Sequence, residues 1–236
     1  MGDIFGKALL DYQLGHYDQD ILTFSSLEEE DNIPLPYLFR SYEEMPFLEQ
    51  QALALCQGTV LDIGCGAGSH SLYLQEKGYE VTALDQSKGA VEVCKQRGLT
   101  NVVHSTVLTY SGKKFHTLLL LMNGIGLAGR LADLDSFLQH LKSLLLPGGQ
   151  ILLDSSDIIY MFDTDDDGGY WIPDTVDYYG EVIFTMEYKS EKSAPFPWLY
   201  LDFNTLQRAA IHNNLTCELV SQGNHYDYLT KITWKG

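Results

Sequence analysis

The sequence predicts an α/β fold with a Rossmann-like, doubly wound sheet, and two patterns predict it. Between residues 59 and 157, short apolar runs alternate with amphipathic segments of helical length, which is typical of successive βαβ units. The apolar runs are almost continuous, as strands are when helices cover both faces of a parallel sheet. After residue 157 the rhythm changes to β-rich runs that can pair antiparallel.

Length and composition favour one domain over residues 1–236. Single cores stop growing at about 250–300 residues, and 45% hydrophobic with 20% charged residues is typical of a globular chain. The net charge of −17 would repel a phosphate backbone, so no nucleic-acid partner is expected. The N-terminal stretch lacks the long apolar core of a signal peptide or membrane anchor, which predicts a cytoplasmic protein with no membrane partner. The cysteines are widely spaced without a CxxC pair, so no metal is expected.

The first segment, residues 1–45, is expected to form a helical lid. Pro34 and Pro36 interrupt any continuous helix within it. A helix is then expected from Pro46 to Gln57, because proline suits the first helical position and apolar residues recur behind it at helical spacing.

The predicted core of the domain spans residues 46–157. Strands are expected where apolar runs end in a turn. They lie at 59–64, 79–85, 101–108, 115–123 and 150–157. Further helices are expected where apolar residues recur with helical periodicity. They lie at 70–78, 88–98 and 131–149.

The last third of the chain is predicted to insert a β-hairpin before the sheet is completed. Residues 158–202 comprise an acidic loop and two β-rich runs separated by a polar stretch. Residues 203–236 then comprise a helix and two strands.

The acidic loop partly matches a calcium-binding loop. Asp163, Asp165 and Asp167 match its first, third and fifth positions, and Asp174 its twelfth. The twelfth position normally carries glutamate, and Pro173 precedes it here, so a solvated acidic loop is favoured over a calcium site.

The stretch VLDIGCGAGSHSLYL combines a strand, a glycine-rich turn and a helix. Gly64, Gly66 and Gly68 would leave backbone N–H groups open to a ligand at the helix N-terminus. A dinucleotide-binding turn spaces its glycines G-x-G-x-x-G and holds a pyrophosphate, which the carboxylate of Asp62 would repel. The same acid would favour an adenosine ligand that has no phosphate and carries a cationic amino-acid tail. S-adenosylmethionine is such a ligand.

A second acid supports this interpretation. Asp85 ends the next apolar run, 21 positions after Gly64, about where an acid accepts the ribose hydroxyls in nucleotide-binding α/β folds. The whole pattern of strand, glycines, helix, strand and acid indicates a nucleoside site much more specifically than three glycines alone.

These residues resemble the class I S-adenosylmethionine-dependent methyltransferases, through LDIGCGAG at 61–68, TALDQS at 82–87 and LLLPGGQILLD ending at residue 154. The resemblance implies a seven-stranded sheet with one antiparallel strand and S-adenosylmethionine across the carboxyl ends of the first strands. It implies that Asp62 faces the amino group of the cofactor and Asp85 its ribose. Carried over by position, the implied cofactor-binding residues are Asp62, Gly64, Cys65, Gly66, Gly68, Asp85, Gln86, Thr106, Val107 and Asn123.

The sequence departs from the family pattern at two strands. The strand 101–108 lacks the usual acid near the adenine, which leaves Thr106 or the backbone of Val107 for that contact. The strand 115–123 ends without the (D/N)PP(Y/F) signature, so methylation of DNA bases and of glutamine is disfavoured. His116 lies at the other end of that strand, where a locally hydrogen-bonded role is expected.

No catalytic residue is assigned from the sequence. Methyl transfer from a sulfonium starts from an activated reagent, so positioning the acceptor can suffice and a general base is optional. The substrate-binding candidates lie in segments able to cover the cleft. They are Arg40, which would hold a carboxylate of substrate or cofactor, Tyr42 and Tyr160.

The sequence therefore predicts a methyltransferase that acts on a small-molecule acceptor by in-line transfer, with a homodimer left open. Two alternatives also stay open. The first is a protein that binds the cofactor without transferring methyl, because no catalytic signature is present. The second is a nicotinamide-dependent oxidoreductase, which Asp62 and the glycine spacing disfavour.

Overall fold

The structure is a computed structural model that describes residues 2–165, 167–172 and 176–234. Its elements in chain order are α1 (Ile4–Gln13), β1 (Ile21–Ser25), β2 (Glu30–Ile33), α2 (Leu35–Leu38), α3 (Phe47–Ala54), β3 (Thr59–Ile63), α4 (Ser69–Glu76), β4 (Glu80–Asp85), α5 (Lys88–Gln96), β5 (Val102–His104), β6 (Phe115–Leu120), α6 (Leu134–Ser143), β7 (Leu145–Ser156), β8 (Glu181–Tyr188), β9 (Glu191–Lys192), β10 (Phe196–Leu199), α7 (Phe203–His212), β11 (Thr216–Gln222) and β12 (Asp227–Thr233).

The larger of two sheets has seven strands in the order β11-β12-β7-β6-β3-β4-β5. Strand β12 runs antiparallel to both of its neighbours, while β7, β6, β3, β4 and β5 pair parallel. The predicted α/β fold, with seven strands of which one is antiparallel, is therefore confirmed. Strands β4 and β5 are added on one side of β3, and β6 and β7 are added on the other side. Open α/β sheets bind ligands at the point where the strand order reverses in this way.

Both faces of this sheet are apolar because successive residues of a strand point to opposite sides. In β6, Leu118 packs in one buried cluster with Phe137 and Leu141 of α6. The next residue, Leu119, packs in a second cluster with Leu53 of α3. All these side chains are at most 1% exposed. Helices on both faces thus account for the nearly continuous apolar runs of the sequence.

A second, antiparallel sheet has the order β10-β8-β1-β2, with β9 beside β8. Strands β1 and β2 come from the segment 1–45, which we expected to be helical, and this part of the prediction needs correction. Only α1 and the one-turn α2 are α-helical in its described part. Strand β1 pairs with β8, as in Phe24 opposite Thr185, and local sequence patterns carry no information on a partner so far along the chain.

Two element boundaries also differ from the prediction. The helix expected at 131–149 is α6 and ends at Ser143, because Leu145–Gly149 already belongs to β7. The strand expected at 101–108 ends at His104. The hydroxyl of Thr106 accepts a hydrogen bond from the Thr109 amide at 3.2 Å and caps a single 3₁₀ turn there.

Helix α1 packs directly on α5, and two glycines permit the contact. A Cβ placed on Gly89 would lie 2.4 Å from the carbonyl carbon and oxygen of Gly6. The carboxylate of Asp3 joins the same two helices, because it accepts from the Gly6 amide at 2.9 Å and from the Gly89 amide at 2.9 Å. The first turn of α1 is thereby held at the N-terminus of α5.

Candidate active site

The candidate site lies at the carboxyl ends of β3, β4 and β6, where the order of the sheet reverses. The glycine turn between β3 and α4 is tied to β4, because the amides of Gly64 and Cys65 both donate to the carbonyl of Leu84, at 2.9 and 3.1 Å. Gly64, Gly66 and Gly68 have φ values of +74°, +54° and +83°, in the left-handed region that favours glycine.

The first two glycines border the cleft and the third packs inside. Gly64 is exposed, and a Cβ on it would have only Leu127 within reach, at 3.6 Å. A Cβ on Gly66 would face the ring of Phe5 in α1 at 3.7 Å. A Cβ on Gly68 would lie 2.9 Å from the sulfur of Cys94, so this glycine serves the packing of the turn. The backbone of Gly64 and Gly66 is thus accessible to a ligand.

Asp62 lies beneath the glycine turn and is 2% exposed. Its Oδ2 accepts a hydrogen bond from the hydroxyl of Ser71 at 2.6 Å. Burial raises the pKa of this carboxyl, against the charge of His70 and the hydrogen bonds from Ser71. The structure therefore places Asp62 in the interior beside the turn, and its contact with a cofactor amino group stays a prediction.

Asp85 closes β4 at the opposite side of the glycine turn. Its Oδ2 accepts from the Gly66 amide at 2.9 Å, and its Oδ1 accepts from the Ser87 amide at 2.8 Å. Burial raises the pKa of Asp85 to about 6, and the charges of Asp3 and Asp62 add to the effect, while the two amides oppose it. The acid and the glycine turn that the sequence predicted to cooperate are therefore joined by a direct hydrogen bond.

The remaining predicted cofactor residues flank this centre. Gln86 is exposed, and its carbonyl accepts from His104 Nε2 at 2.9 Å. Thr106 is exposed and caps its turn, whereas Val107 is 7% exposed and its carbonyl accepts from His140 at 2.7 Å. The contact of Gln86, Thr106 and Val107 with the cofactor stays a prediction.

Cys65 points away from the cleft, into the protein. It is 6% exposed, and its sulfur lies 3.8 Å from the sulfur of Cys94. The four cysteines are all free thiols.

Asn123 follows β6 in a turn where Met122 and Asn123 both have positive φ, +63° and +56°. Its side-chain amide donates to the Leu199 carbonyl at 3.1 Å, and its side-chain carbonyl accepts from the Ser155 hydroxyl at 3.0 Å. The side chain thus joins β6, β7 and β10. Its contact with the cofactor stays a prediction.

Arg40 is buried, 5% exposed, in an ion-pair cluster at the edge of the site. Its Nη2 lies 2.5 Å from Glu49 Oε2, and His70 Nε2 lies 2.8 Å from the same oxygen. Burial acts to raise the pKa of Glu49, but the hydrogen bonds and charges of His70 and Arg40 outweigh it and lower the pKa. One donor is left over, because Arg40 Nε is buried without a partner among the described residues.

The two predicted substrate-binding tyrosines lie on different surfaces. Tyr42 stacks on Tyr73 of α4, with ring centroids 4.0 Å apart. Tyr160 is 51% exposed and stacks on Tyr226 at 4.8 Å. The structure does not bring these two residues together, and their role in substrate binding stays a prediction.

Sequence reasoning missed Asp154, which lies at the carboxyl end of β7. Its two oxygens accept from the amides of Met122 at 3.0 Å and Gly124 at 3.2 Å. Burial raises the pKa of Asp154 to about 7, with the charge of Glu49 adding to the effect. A signal was present, because Asp154 is the acid that follows the apolar run QILL at the sheet edge where ligands bind.

Aromatic residues of the second sheet pack over the turn that follows β6. A Cβ on Gly126 would lie 2.0 Å from the ring of Trp198, so the indole rests directly on the backbone there. The ring of Phe184 lies 6.4 Å from that of Tyr200 and 6.3 Å from that of Phe196. The aromatic side chains Phe184, Phe196, Trp198 and Tyr200 thus form an aromatic wall, which meets the turn after β6 through Trp198.

This arrangement places accessible backbone and the carboxylates of Asp62, Asp85 and Asp154 at one edge of the sheet, groups that suit a nucleoside with a charged tail. Within the ranges that the structure describes, no three His, Cys, Asp or Glu side chains are grouped to hold a metal ion. Asp174, the twelfth position of the calcium-loop match, lies outside those ranges. Among the same residues, no helix has both the length and the apolar character needed to span a bilayer.

Comparison with known proteins agrees with the fold described above. Residues 60–149 match a family described as a methyltransferase domain. A S-adenosylmethionine-dependent methyltransferase from Bacteroides fragilis, solved in complex with S-adenosyl-L-homocysteine, is 43% identical with a TM-score of 0.91. The alignment covers 98% of this chain and 94% of that one. An S-adenosylmethionine-bound amino pentose methyltransferase from Micromonospora echinaspora is 15% identical over 84% of this chain and 93% of that one, with a TM-score of 0.58, and shares the fold.

Two curated relatives are similar over shorter stretches. A dTDP-3-amino-3,6-dideoxy-alpha-D-glucopyranose N,N-dimethyltransferase from Streptomyces fradiae is 26% identical over 57% of this chain and 52% of its own length. A cypemycin N-terminal methyltransferase from a Streptomyces species is 31% identical over 42% of each chain. The chain thus spans about half or less of the length of these curated relatives.

Proposed function

Because the chain belongs to the S-adenosylmethionine-dependent methyltransferase family, we propose that it transfers a methyl group to a small molecule held between its two sheets. The predicted family and its cofactor, S-adenosylmethionine, are confirmed. The proposal depends above all on the pairing of Asp85 with the open glycine turn, where the Gly66 amide donates to the carboxylate at 2.9 Å. An acid and an accessible backbone, placed where the strand order reverses, suit a nucleoside that carries no phosphate.

The described residues fit this cofactor. We propose that Asp85 accepts the ribose hydroxyls and that the backbone of Gly64 and Gly66 adjoins the methionine portion. Arg40 has one buried Nε donor without a partner in the described part of the chain, and the carboxylate of the cofactor would satisfy it. Gln86, Thr106 and Val107 are proposed to border the adenine.

When bound, S-adenosylmethionine supplies an electrophilic methyl group on a sulfonium. The task of the chain is then to align the acceptor with that group and to keep water away. We propose that the aromatic wall of Phe184, Trp198 and Tyr200 excludes water from the cleft. The turn after β6, fixed by Asn123, sets the distance between the two sheets.

The acceptor is proposed to be a small molecule, as the name of the Streptomyces fradiae relative indicates for that protein. The net charge of −17 favours a neutral or cationic acceptor over nucleic acid. The four free thiols agree with a location in the reducing cytoplasm. We propose that the whole chain acts there as one domain, with a homodimer left open.

Replacing Asp85 by alanine tests the cofactor site. If its carboxylate accepts charge-assisted bonds from the ribose, Asp85→Ala should weaken binding of S-adenosylhomocysteine by about 1.5–3 kcal/mol. Calorimetric titration of the purified, cofactor-free protein measures this effect. Glu92→Ala, on the exposed face of α5, is the control and should bind like the wild type. Equal affinity in Asp85→Ala and wild type would refute the assignment of Asp85.

The same carboxyl predicts a pH dependence of cofactor binding. Its pKa of about 6 means that it is protonated below this pH in the free protein, and ribose hydroxyls donate to the ionised form. The affinity for S-adenosylhomocysteine should therefore be about tenfold lower at pH 5 than at pH 7.5. Titrations across this range measure how the affinity depends on pH, and Asp85→Asn should remove this dependence. If the dependence persists in Asp85→Asn, a group other than Asp85 causes it.

A further inference from the structure

We propose that Asp154 binds the amino group of an amine acceptor and takes a proton from it, which would make the chain an N-methyltransferase. This inference rests on the proposed function and adds the class of acceptor to it. Four observations support it: the position of the carboxylate, its access to the cleft, the absence of a paired cation and the groups that surround it.

Asp154 lies next to the place where the methyl group would be presented. It directly follows the part of β7 that pairs with β6, because Leu153 is opposite Leu120 in the last pair. The amides of Met122 and Gly124 hold its two oxygens against the turn after β6. Leu127 of the same turn region would lie 3.6 Å from a Cβ on Gly64, so this turn lies next to the glycine turn.

Asp154 is partly exposed at the carboxyl end of β7. Leu153 and Ser155, its neighbours in β7, are 0% and 1% exposed, whereas Asp154 is partly exposed. The two hydrogen bonds that it accepts use one lone pair on each oxygen, and each oxygen can accept another bond. A ligand in the cleft can therefore reach the carboxylate.

Within the described residues, no cation is paired with Asp154. His70, whose charge acts on Asp154, binds Glu49 instead, as does Arg40. A desolvated carboxylate without a counter-charge is costly in a protein interior, and a bound cation removes that cost. The site therefore favours an acceptor that arrives as an ammonium ion.

The surrounding groups suit an amine that loses a proton near neutral pH. Burial raises the pKa of Asp154 to about 7, Glu49 raises it further, and the amides of Gly124 and Met122 and the charge of His70 oppose the effect. A base with a pKa near the working pH is the most effective for proton transfer. Burial also raises the pKa of the Tyr37 phenol, with Glu49 and Asp154 adding to the effect against Arg40, so its hydroxyl stays available as a neutral donor.

The proposed step balances as follows. A proton moves from the ammonium of the acceptor to the Asp154 carboxylate, which frees the nitrogen lone pair. The nitrogen then forms a bond to the methyl carbon as the carbon–sulfur bond breaks, and that electron pair stays on sulfur, which becomes a neutral thioether. The product leaves as a methylated ammonium, and Asp154 returns its proton to water. An alcohol is too weak an acid for this base, and a carboxylate acceptor would be repelled by it.

Two matched sets of small molecules test the class of acceptor without a mutation. They are benzylamine, benzyl alcohol and benzoate, and cyclohexylamine, cyclohexanol and cyclohexanecarboxylate. Their binding to the wild-type protein saturated with S-adenosylhomocysteine is measured by calorimetry at pH 8, where Asp154 is ionised. The amines should bind at least about tenfold more tightly than the matched alcohols and carboxylates. Amines that bind no better than the alcohols, whether both bind or neither does, overturn the inference.

Asp154→Asn tests the residue itself. With the best amine as acceptor and S-adenosylmethionine as donor, the rate of methyl transfer should fall about a hundredfold or more. The wild-type rate should rise with pH through an apparent pKa near 7, and the variant should lose this step. Asp157→Asn is the control, because Asp157 also accepts a backbone amide, that of Ile159 at 3.0 Å, but binds the hydroxyl of Tyr179. A merely structural Asp154 would leave the pH profile unchanged.

Binding of S-adenosylhomocysteine distinguishes a failure of the proposed function from a failure of the assignment of Asp154. If the wild-type protein fails to bind it, the proposed function itself fails. If the wild type and Asp154→Asn bind it within about twofold of each other, any loss of amine binding in the variant belongs to the acceptor site. If both bind it and the variant keeps wild-type methyl transfer to amines, Asp154 has no part in the reaction.

Discussion

Replacing Glu49 by glutamine is expected to lower the free energy of unfolding by about 3–5 kcal/mol. Glu49 is buried and neutralises Arg40 at 2.5 Å while also binding His70 at 2.8 Å. Glutamine has nearly the same shape but no charge, so Arg40 would remain buried without a counter-ion. Urea unfolding at pH 7, monitored by circular dichroism, measures the difference.

The control for this experiment is Glu80→Gln. Glu80 pairs with Lys113, but both side chains are more than half exposed, at 56% and 54%. Exposed pairs contribute about 0–1 kcal/mol, so this variant should unfold almost like the wild type. Should Glu49→Gln lose no more stability than Glu80→Gln, the buried cluster would not depend on the charge of Glu49.

The Glu49 ion pairs also predict a loss of stability in acid. Because the pKa of Glu49 is lowered in the folded protein, its contribution is fully present above the ordinary glutamate pKa and is lost as the pH falls through the lowered value. The wild type should therefore lose stability relative to Glu49→Gln as the medium is acidified below the ordinary glutamate range.

Replacing Gly89 by alanine is expected to destabilise the protein by about 3 kcal/mol and to loosen α1. Alanine is intrinsically the better helix former by about 1 kcal/mol, so local propensity alone predicts the opposite result. The added Cβ would lie 2.4 Å from the Gly6 carbonyl carbon and oxygen, and backbone atoms cannot turn aside as a flexible side chain can. Hydrogen exchange of the α1 amides, together with urea unfolding, measures both effects.

Gly112→Ala is the matched control for Gly89→Ala. A Cβ on Gly112 would meet only the ring of Tyr110, at 3.8 Å, which is an ordinary van der Waals contact. The ring of Phe5 places α1 beside the glycine turn, 3.7 Å from a Cβ on Gly66, so Gly89→Ala should also weaken binding of S-adenosylhomocysteine, whereas the control should not. Unchanged exchange of α1 in Gly89→Ala would show that the packed helix pair accommodates the added methyl group.

The sequence was sufficient to predict the parts of the fold that local patterns determine. Strands β3, β4, β6 and β7 are short apolar runs, and the glycines follow β3 directly, so strand, turn and helix lie in one stretch of chain. Asp85 was found for the same reason, because it ends the next strand. The hydrogen bond between Asp85 and the Gly66 amide agrees with that reasoning.

Only the tertiary structure decided which residues meet across the cleft. The second sheet depends on β1 pairing with β8, far apart in the chain, and no periodicity within residues 1–45 indicates such a partner. Arg40 was predicted to hold a carboxylate of a ligand, and the fold gives its guanidinium the carboxylate of Glu49, leaving only Nε unpaired among the described residues.

Asp154 shows why the chemistry of a site needs the fold. The sequence determined that an acid ends β7, and hence that it lies at the ligand-binding edge of a parallel sheet. It did not determine that Arg40 and His70 would both be paired with Glu49, or that burial would raise the pKa of Asp154 to about 7. Strand and turn formation depend on residues close in the chain, whereas charge pairing and desolvation depend on distances that only the folded chain sets.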